Sequence, residues 1–474
     1  MGSKQRLKYG TYAVVTTIVV IAIFIMINLI ASTQNWKIDM TQNKIYSLSE
    51  QTKQVLSKLD QDIKVYVFYK KGEEDTRINQ LLDNYKKLTP RIKVDYLDAD
   101  RNPDKVMSYG VETYNGVVFE SDKRKKIVNT YELYSYGEQG QGEFLGEQKF
   151  TNSIRYVTSE KIPTIYFIEG HKELSVNQLY YLSKALEIEN YIVKPLNLIT
   201  QKTVPEDADM LISVLPRVNY LPQEIQELEK YFSNGGRGIF LFASTLVGKQ
   251  DISEIKGMMA KWGIGIDDDL AVEENPDSIY YGNPARVIAN MQGHEITNML
   301  KENNLLAVLG VSRSLKLPVQ TEGQGQNGYN IESLLKSSDK SWGKVKFDTE
   351  QRTPEDLNGP LDLAAAISKK VGDAGNKEMR VVVFGSSNFI QDADEFDQNL
   401  KPILIPGNLD LFLNTVSWLK GIPEEITIRP KQTLESPLKM SKNQQITSLI
   451  IVLLLIPGAV FVPGMIVWAR RRHL

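Results

Sequence analysis

Two apolar runs without charged residues lie near the two ends of this chain of 474 residues. The first extends from about Tyr12 to Ala31 and the second from Ile446 to Ala469. Both are flanked on their outer side by basic residues, namely Lys4, Arg6, Lys8, Arg470, Arg471 and Arg472. A helix of roughly 20 apolar residues crosses a bilayer, and basic flanks stay in the cytoplasm. The sequence therefore predicts two terminal transmembrane helices, two cytoplasmic ends and an extracytoplasmic body between them.

Polar, small and helix-loosening residues inside the two runs indicate contacts with other membrane subunits. They are Asn28, Pro457, Gly458, Pro463 and Gly464. Membrane helices tolerate such residues where neighbouring helices pack closely or re-satisfy the backbone. A kinked helix without a partner is the alternative interpretation. The first run is longer than the roughly 7–15 apolar residues of a secretory signal peptide, which favours an uncleaved helix.

Composition excludes several classes of protein. The net charge is −2 although the two ends carry six basic residues, so the body is acidic and a poor candidate for binding nucleic acid. Without cysteine, the chain has no disulfide, no thiolate metal site and no cysteine nucleophile. It has three histidines and no G-x-x-x-x-G-K-[ST] phosphate-binding loop. We therefore expect neither a metal nor a cofactor, and no ATP-binding loop on this chain itself.

The region from 37 to 148 alternates strand and helix patterns in the order β-α-β-α-β-β. Its helix pattern carries an apolar stripe, and its last two strands form a predicted hairpin. The main predicted elements are strand Ile63–Tyr69, helix Arg77–Leu88, strand Ile92–Leu97 and strands Gly116–Glu120 and Lys126–Asn129. This order is similar to that of a thioredoxin-like domain. Because the Cys-x-x-Cys motif is absent, we expect a scaffold without redox activity.

The region from 149 to 430 also has an α/β pattern. Its predicted strands are Thr164–Ile168, Met210–Leu215, Gly238–Phe242 and Arg380–Phe384. Alternation of strands with helices predicts a mostly parallel sheet covered on both faces. The full prediction is an α/β protein with an N-terminal membrane segment (1–36), two α/β domains (37–148 and 149–430), and a stalk with a C-terminal membrane helix (431–474).

Polar loops after two predicted strands are candidate ligand or interaction sites, because open α/β sheets bind ligands at the carboxyl ends of their strands. One loop holds Gly170, His171 and Glu173, and a structural polar pair is the alternative interpretation. The other holds Ser386, Ser387 and Asn388; it lacks the second glycine of a nucleophile elbow, which disfavours a serine hydrolase.

Two acidic runs are candidates for a hard cation, with a solvated turn as the alternative. They are Asp267–Asp269 and the pair Asp392 and Asp394. Neither has the spacing of a known calcium-binding loop.

Several segments in order resemble the GldG-like proteins, the auxiliary membrane subunits of gliding-motility-type ABC transporters. They are Asp39–Ser49, Phe150–Ile154, Gly170–Glu173, Pro205–Asp209, Leu228–Gly236, His294–Thr297, Gly407–Asp410 and Trp418–Leu419. The resemblance adds His294 to the candidate residues and covers nearly the whole chain. This chain departs from the family pattern at Lys172, where the family has glycine.

The resemblance implies a thioredoxin-like first domain and a second domain similar to the flavodoxin or class I amidotransferase type. It also implies a non-enzymatic subunit that works beside a separate ABC-2-type permease and a separate cytoplasmic ATPase at the bacterial cell membrane. An extracytoplasmic receptor for a peptide, glycan or lipid without a transporter is the alternative. A hydrolase that uses Ser386 or Ser387 with a histidine is a third hypothesis.

Overall fold

The computed structural model divides the chain into two compact units, residues 47–430 and residues 1–46 with 431–474. The structure describes residues 47–136, 142–248, 250–318, 328–349, 351–372, 377–394, 397–405 and 407–421, together with 15, 18–23, 25–26, 464–465, 468 and 470. The described residues of the two terminal segments are helical.

The prediction of two terminal transmembrane helices is wrong for the part of the chain that the structure describes. No helix there is long and apolar enough to cross a membrane. A span needs roughly 20 consecutive apolar residues, whereas the longest helices of the body, 76–88, 146–158 and 408–420, have 13 residues each. Most of the two apolar runs lies outside the described residues.

The first part of the body is a four-stranded sheet covered by helices. Its elements are α1 (Glu50–Ser57), β1 (Ile63–Tyr69), α2 (Thr76–Leu88), β2 (Ile92–Asp98), α3 (Pro103–Tyr109), β3 (Gly116–Glu120), β4 (Lys125–Val128), the short pair β5 (Tyr134–Tyr136) and β6 (Gly142–Phe144), and α4 (Gly146–Thr158). The strand order is β2-β1-β3-β4; β1 and β2 are parallel, and β3 is antiparallel to both β1 and β4.

Alternation along β1 gives this sheet two apolar faces. Ile63, Val65 and Val67 lie in the core under α1, α2 and α4, whereas Phe68 packs on the opposite side. The apolar stripe of α4 packs on the first face, so the helix that crosses residue 148 shares the core of the first sheet. The predicted domain boundary at 148 stays a prediction.

The second part of the body is built on a larger mixed sheet. Its first elements are β7 (Thr164–Ile168), α5 (Tyr180–Ile188), β8 (Ile192–Leu196), α6 (Leu198–Gln201), β9 (Ala208–Val214), α7 (Pro222–Ser233), β10 (Arg237–Leu241) and α8 (Ser253–Lys261). The following elements are β11 (Gly265–Ile266), β12 (Leu270–Val272), β13 (Ile279–Tyr280), β14 (Asn283–Ile288), β15 (Asn290–Met291), α9 (Glu295–Glu302), β16 (Val308–Gly310), β17 (Leu315–Lys316), β18 (Asn330–Lys336), β19 (Trp342–Lys344), β20 (Leu357–Asn358), β21 (Asp362–Val371), β22 (Lys377–Phe384) and α10 (Asn408–Lys420).

The centre of this sheet is five parallel strands in the spatial order β8-β7-β9-β10-β22. Counted along the chain, this is the order 2-1-3-4-5 of a doubly wound sheet, in which the winding direction reverses between β7 and β9. Antiparallel β21 extends the sheet beyond β22 and pairs with β18 and β17. The chain is therefore an α/β protein with mixed sheets.

Both faces of the central sheet are buried because each strand sends alternate side chains to opposite sides. Ile165 and Phe167 face α5, α9 and α10, whereas Tyr166 and Ile168 face α6, α7 and α8. The sheet therefore buries all of β7 and the carboxyl-terminal halves of β9 and β22, which are mostly apolar. This layered core fixes the two edges of the sheet where the strand-connecting loops lie.

Candidate functional site

The carboxyl ends of β7 and β9 meet where the winding direction reverses, which is where open α/β sheets bind ligands. The loop after β7 holds Gly170, His171 and Glu173. The loop after β9 is tied to it, because the backbone amides of Arg217 and Val218 donate to the carbonyl oxygen of His171 at 2.9 and 3.1 Å. The topology therefore places the first predicted candidate loop at this reversal point.

The backbone of this loop requires unusual conformations at two positions. Gly170 has a φ of 128°, and a Cβ atom there would lie 3.3 Å from Ile199. Lys172 has a φ of 59°, a left-handed conformation that glycine adopts most easily. The resemblance predicts glycine at this position, so the structure gives a backbone reason for that pattern and places Lys172 where a non-glycine residue is strained.

His171 is held between two carboxylates in a buried network. Its Nε2 lies 2.9 Å from Oε2 of Glu224, and its Nδ1 lies 3.2 Å from Oε1 of Glu173. Tyr220 stacks on the imidazole at 4.0 Å between ring centroids. The Tyr220 hydroxyl donates to Glu173 at 2.7 Å and lies 3.0 Å from the hydroxyl of Ser213. Strand, loop and helix are thus joined through one imidazole.

The electrostatics of this network favour a charged histidine. Burial by itself lowers the pKa of His171, but the hydrogen bonds and negative charges of Glu173 and Glu224 outweigh burial and raise that pKa above 6.5. Burial, reinforced by the charge of Glu173, raises the pKa of Tyr220 well above its ordinary value. The raised pKa of Tyr220 keeps its hydroxyl a hydrogen-bond donor, and the raised pKa of His171 shifts the imidazole towards its protonated form.

The same network is closed to solvent. His171 is 2% exposed, Glu224 4% and Glu173 8%. Both imidazole nitrogens are occupied by carboxylates, so neither is free to take a proton from a substrate. The structure thus brings His171 and Glu173 together as the sequence suggested, and it adds Glu224, Tyr220 and Ser213, which motif reasoning did not find because they follow no local pattern.

Ser386, Ser387 and Asn388 follow β22 and are also buried. The Ser386 hydroxyl donates to the carbonyl oxygen of Gly310 at 2.6 Å, and the amide of Asn388 donates back to that hydroxyl at 3.2 Å. The side-chain amide of Gln391 donates to Ser387 at 3.3 Å. Within the described residues no histidine hydrogen-bonds either serine, which weighs against the hydrolase hypothesis.

His294 lies apart from the loop after β7 and begins α9. Its Nδ1 accepts from the backbone amide of Ile296 at 3.1 Å, which makes the imidazole the N-cap of the helix. Its ring meets Trp418 of α10 edge-on at 5.2 Å. Burial, which outweighs the nearby carboxylates, lowers the pKa of His294 below 6.5. The neutral imidazole can accept this hydrogen bond, so its visible role is to start a helix.

Replacing His294 by Ala is expected to destabilise the protein by about 1 kcal/mol, because the first turn of α9 loses its capping acceptor. Replacement by Asn, a better capping residue, is expected to recover most of that loss. Urea unfolding followed by tryptophan fluorescence measures both. Equal losses for Ala and Asn would assign the effect to packing on Trp418 and contradict the capping role.

Arg313 is a second buried polar centre at the carboxyl edge of the sheet, and sequence patterns did not indicate it. Its side chain is fully buried. Nε donates to the carbonyl oxygen of Ala243 at 2.7 Å and Nη2 to Oε1 of Gln250 at 3.0 Å, while Nη1 lies 3.4 Å from the exposed carboxylate of Asp268. Burial lowers the pKa of Arg313, and the neighbouring carboxylates oppose that effect. The guanidinium joins the loops after β10 and β16.

The acidic runs are used within the fold. Asp269 accepts from the amide and hydroxyl of Ser314, both at 2.8 Å. Asp392 accepts from the amide of Tyr180 at 2.7 Å at the start of α5. Asp394 pairs with Arg286 at 2.8 Å. Among the residues that the structure describes, no group of three or more His, Asp or Glu side chains is arranged to hold a metal ion.

The candidate partner contacts in the terminal runs lie almost entirely outside the described residues. Asn28, Pro457, Gly458 and Pro463 lie outside the described residues, and Gly464 is described only as helical. Their role in binding a membrane partner stays a prediction.

Comparison with known families identifies the class of the chain. A family model described as an ABC-type uncharacterized transport system matches residues 162–415, which is more than half of the chain. The chain belongs to this family, and the match covers both polar centres at the carboxyl edge. The family assigns an auxiliary role in an ABC transport system and implies a complex with other subunits. Residues 42–133 match a second family model, described as a domain of unknown function.

Comparisons with individual proteins are distant. No curated protein matches. The solved N-terminal domain of mmIFT52 shares 18% identity and a TM-score of 0.39, covering 54% of this chain and 97% of that chain. The NTD_N/C domain of alkylhydroperoxide reductase AhpF from Enterococcus faecalis shares 14% identity and a TM-score of 0.19, covering 32% and 79%. The exo-beta-1,4-mannosidase Op5Man5 from Opitutaceae bacterium strain TAV5 shares 9% and a TM-score of 0.26, covering 74% and 49%. None of these similarities supports a functional argument.

Proposed function

We propose that the chain is a non-enzymatic subunit that binds a separate ABC-2-type permease, with ATP bound by a separate cytoplasmic ATPase and no cofactor on the chain itself. Its body would lie on the extracytoplasmic face of the bacterial cell membrane and handle substrate or couple the permease to the envelope. Family membership supports the transporter context. The observation that carries the non-enzymatic part is the closed carboxyl edge of the sheet.

At that edge the polar groups stabilise the protein itself. Oxygen and nitrogen atoms of His171, Ser386 and Arg313 are engaged with neighbouring protein groups, and all three residues are at least 98% buried. A catalytic group needs contact with substrate, directly or through one water. Buried and mutually paired groups instead hold the strand-connecting loops in one shape. Such an edge is suited to present a fixed surface to a partner.

Exposed apolar side chains surround the same edge. They are contributed by three connections, after β8, β9 and β10: Ile199 is 47% exposed, Val218 42%, Leu221 50% and Leu246 44%. The Arg217 guanidinium donates to the carbonyl oxygen of Val247 at 3.2 Å and joins two of these connections. Exposed apolar groups gathered on a rigid frame are typical of a protein interface. We call these four residues the apolar rim and propose that the permease contacts it.

The decisive experiment is affinity purification of the tagged full chain from cells of its source under mild detergent. A polytopic permease and an ATPase are expected to co-purify in fixed ratio. Recovery of the chain alone under several detergents would contradict the transporter role. Tight binding of an envelope peptide, glycan or lipid without these subunits would favour the receptor hypothesis instead.

A rim variant tests where the partner binds. Changing Val218 and Leu221 to Ser is expected to reduce the recovered permease at least fivefold, since central apolar contacts dominate interface energies. The matched control is Met107→Ser, which removes an apolar side chain that is 80% exposed on α3. Equal recovery with the rim variant and the control would place the interface elsewhere on the chain.

We also propose that the chain is a GldG-like subunit and that its first domain is thioredoxin-like. The strand order β2-β1-β3-β4 and the helices α2 and α4 on one face support that domain assignment. Because the chain has no cysteine, this domain would serve as a scaffold.

A further inference from the structure

A polar cavity of about 1010 Å³ lies at the amino ends of β9, β10 and β22, the edge of the sheet opposite to His171. A smaller cavity of about 250 Å³ shares Asp209, Arg237 and Lys420 with it and extends it towards β7. The larger volume is close to the upper end of the range of small-molecule sites, which is roughly 300–1,000 Å³. This amino-edge basin is distinct from the apolar rim and from both buried polar centres.

Two glycines determine the turn between α7 and β10, which forms one wall of the basin. Gly235 ends α7 with a φ of 89°, and a Cβ on Gly236 would lie 2.4 Å from the ring of Tyr231. The Tyr231 hydroxyl accepts from the amide of Arg237 at 3.2 Å and donates to its carbonyl oxygen at 3.3 Å. Burial raises the pKa of Tyr231 to about 12, so it remains a donor at neutral pH. The turn therefore fixes the backbone of Arg237 at the first position of β10.

The acidic side chains of the basin are largely neutralised by other cations. Asp209 pairs with Lys161 at 2.8 Å, and Glu378 pairs with Arg380 at 2.6 Å. The remaining pair, Lys230 with Glu227, is at the long distance of 3.5 Å. These contacts leave Glu206, on the exposed rim of the basin, as the acid without a pair in the described part of the chain.

Two cations of the basin have no such counter-ion. In the portion described here, neither Arg237 nor Lys377 has an ion pair, and Nε of Arg237 is a buried donor without an acceptor. A buried N–H group without an acceptor costs about 1–3 kcal/mol. Arg237 is the first residue of β10 and Lys377 is the first residue of β22, and these two strands are parallel neighbours. In the strand register Arg237 lies opposite Arg380, three residues after Lys377. Among the described residues, the basin thus holds two cations without an ion pair.

We propose that the amino-edge basin binds a phosphate group, either free or as part of a larger phosphate ester. The planar guanidinium of Arg237 can donate two parallel hydrogen bonds to phosphate oxygens, and Lys377 supplies a second charge. The volume exceeds that of inorganic phosphate, so the basin also has room for the rest of a phosphate ester. This inference depends on the cavity and not on the transporter assignment.

Calorimetric titration of the full chain with inorganic phosphate and with glycerol 3-phosphate tests the site. Saturable binding is expected for both, tighter for the ester, and weaker as salt is raised. Arg237→Gln is expected to weaken binding at least tenfold, and Arg237→Gln with Lys377→Gln to abolish it. Arg237→Lys, which keeps the charge and loses the fork, should retain part of the affinity.

The matched control is Lys64→Gln, which removes an exposed lysine of β1 in the first sheet, outside the lining of the basin. It is expected to leave phosphate binding unchanged. Absence of saturable binding in the unaltered chain would overturn the proposal, as would equal affinity in the Arg237→Gln, Lys377→Gln variant when its thermal unfolding matches that of the unaltered chain.

Vesicle sedimentation separates the two sources of the phosphate group. The chain is mixed with vesicles of phosphatidylglycerol or of phosphatidylcholine, with and without glycerol 3-phosphate as competitor. Competition at phosphatidylglycerol vesicles, lost in the double variant, would identify a lipid headgroup. Calorimetric binding without such competition would identify a soluble or polymeric phosphate ester. Since no permease is present, failure here leaves the co-purification result unaffected, and the two proposals fail separately.

Discussion

Replacing Arg313 by Met is expected to lower the free energy of unfolding by about 2–4 kcal/mol. The methionine fills most of the volume but donates nothing, so the carbonyl oxygen of Ala243 and the side chain of Gln250 lose their hydrogen bonds. Each buried acceptor left without a donor costs about 1–3 kcal/mol. Relief from burying the guanidinium charge offsets part of this loss. Urea unfolding of the full chain, followed by tryptophan fluorescence, measures the result.

The companion variant Asp268→Asn distinguishes hydrogen bonding from ion pairing. The Asp268 side chain is 63% exposed and lies 3.4 Å from Nη1, so solvent screens the pair. An effect below about 1 kcal/mol is expected. Arg313→Lys should behave like Arg313→Met, since the three donors of an ammonium share one nitrogen and cannot reach acceptors that Nε, Nη1 and Nη2 contact separately. If Asp268→Asn loses much stability while Arg313→Met loses none, the hydrogen bonds to Ala243 and Gln250 are not the source of the stabilisation.

Local pattern located the strands of the parallel sheet because burial on both faces leaves a continuous apolar run. The predicted strand Thr164–Ile168 is confirmed residue for residue, and Met210–Leu215 and Gly238–Phe242 are confirmed within two residues at each end. In the first domain Ile63–Tyr69 and Gly116–Glu120 are confirmed as well. These segments are strands in any packing that buries them, so periodicity and composition suffice.

Strand β21 shows where such reasoning fails. Its sequence contains Ala364, Ala365 and Ala366, and alanine is the strongest helix former. The segment is nevertheless a ten-residue strand, since β22 and β18 pair with it on both sides and bury those alanines. Tertiary pairing overrides local propensity here. The stretch from 252 to 358 supplies β18 and the short outer sheets.

The candidate site also contains contacts that the sequence could suggest and contacts that it could not. His171 and Glu173 are two residues apart, so the sequence could suggest their contact. Glu224 is 53 residues from His171 and reaches it only because α7 packs beside the loop after β7. Arg313 carries no motif, and its burial follows from three chain segments meeting at one edge. At the two ends of the chain the sequence indicated too much. The length of the apolar runs predicted membrane spans, but no described helix is long and apolar enough to be one.

Replacing His171 by Ala is expected to cost about 3–5 kcal/mol, because removal of the cation leaves Glu173 and Glu224 buried without their partner. The Tyr220 hydroxyl still donates to Glu173, and the amide of Leu221 to Glu224 at 2.7 Å, but neither supplies a charge. His171→Ala with Glu224→Gln should recover a large part of the loss, since one buried charge is removed with the cation. A double variant as unstable as the single one would contradict the electrostatic explanation.

The pH dependence of stability tests the electrostatic explanation, because a loss of packing alone would not depend on pH. The folded pKa of His171 lies above 6.5, so its contribution is fully present below about pH 6.5 and is lost as the pH rises through the folded pKa. His294 has a folded pKa below 6.5, so its contribution is lost as the pH falls through that lower value. The two histidines therefore affect stability on opposite sides of pH 6.5, and each variant serves as the control for the other.

Unfolding midpoints measured from pH 5 to pH 9 test these signs. The decline in stability above pH 6.5 should be absent in His171→Ala and present in His294→Ala. A decline above 6.5 that persists in His171→Ala would show that another group causes it and would contradict its assignment to the buried imidazole.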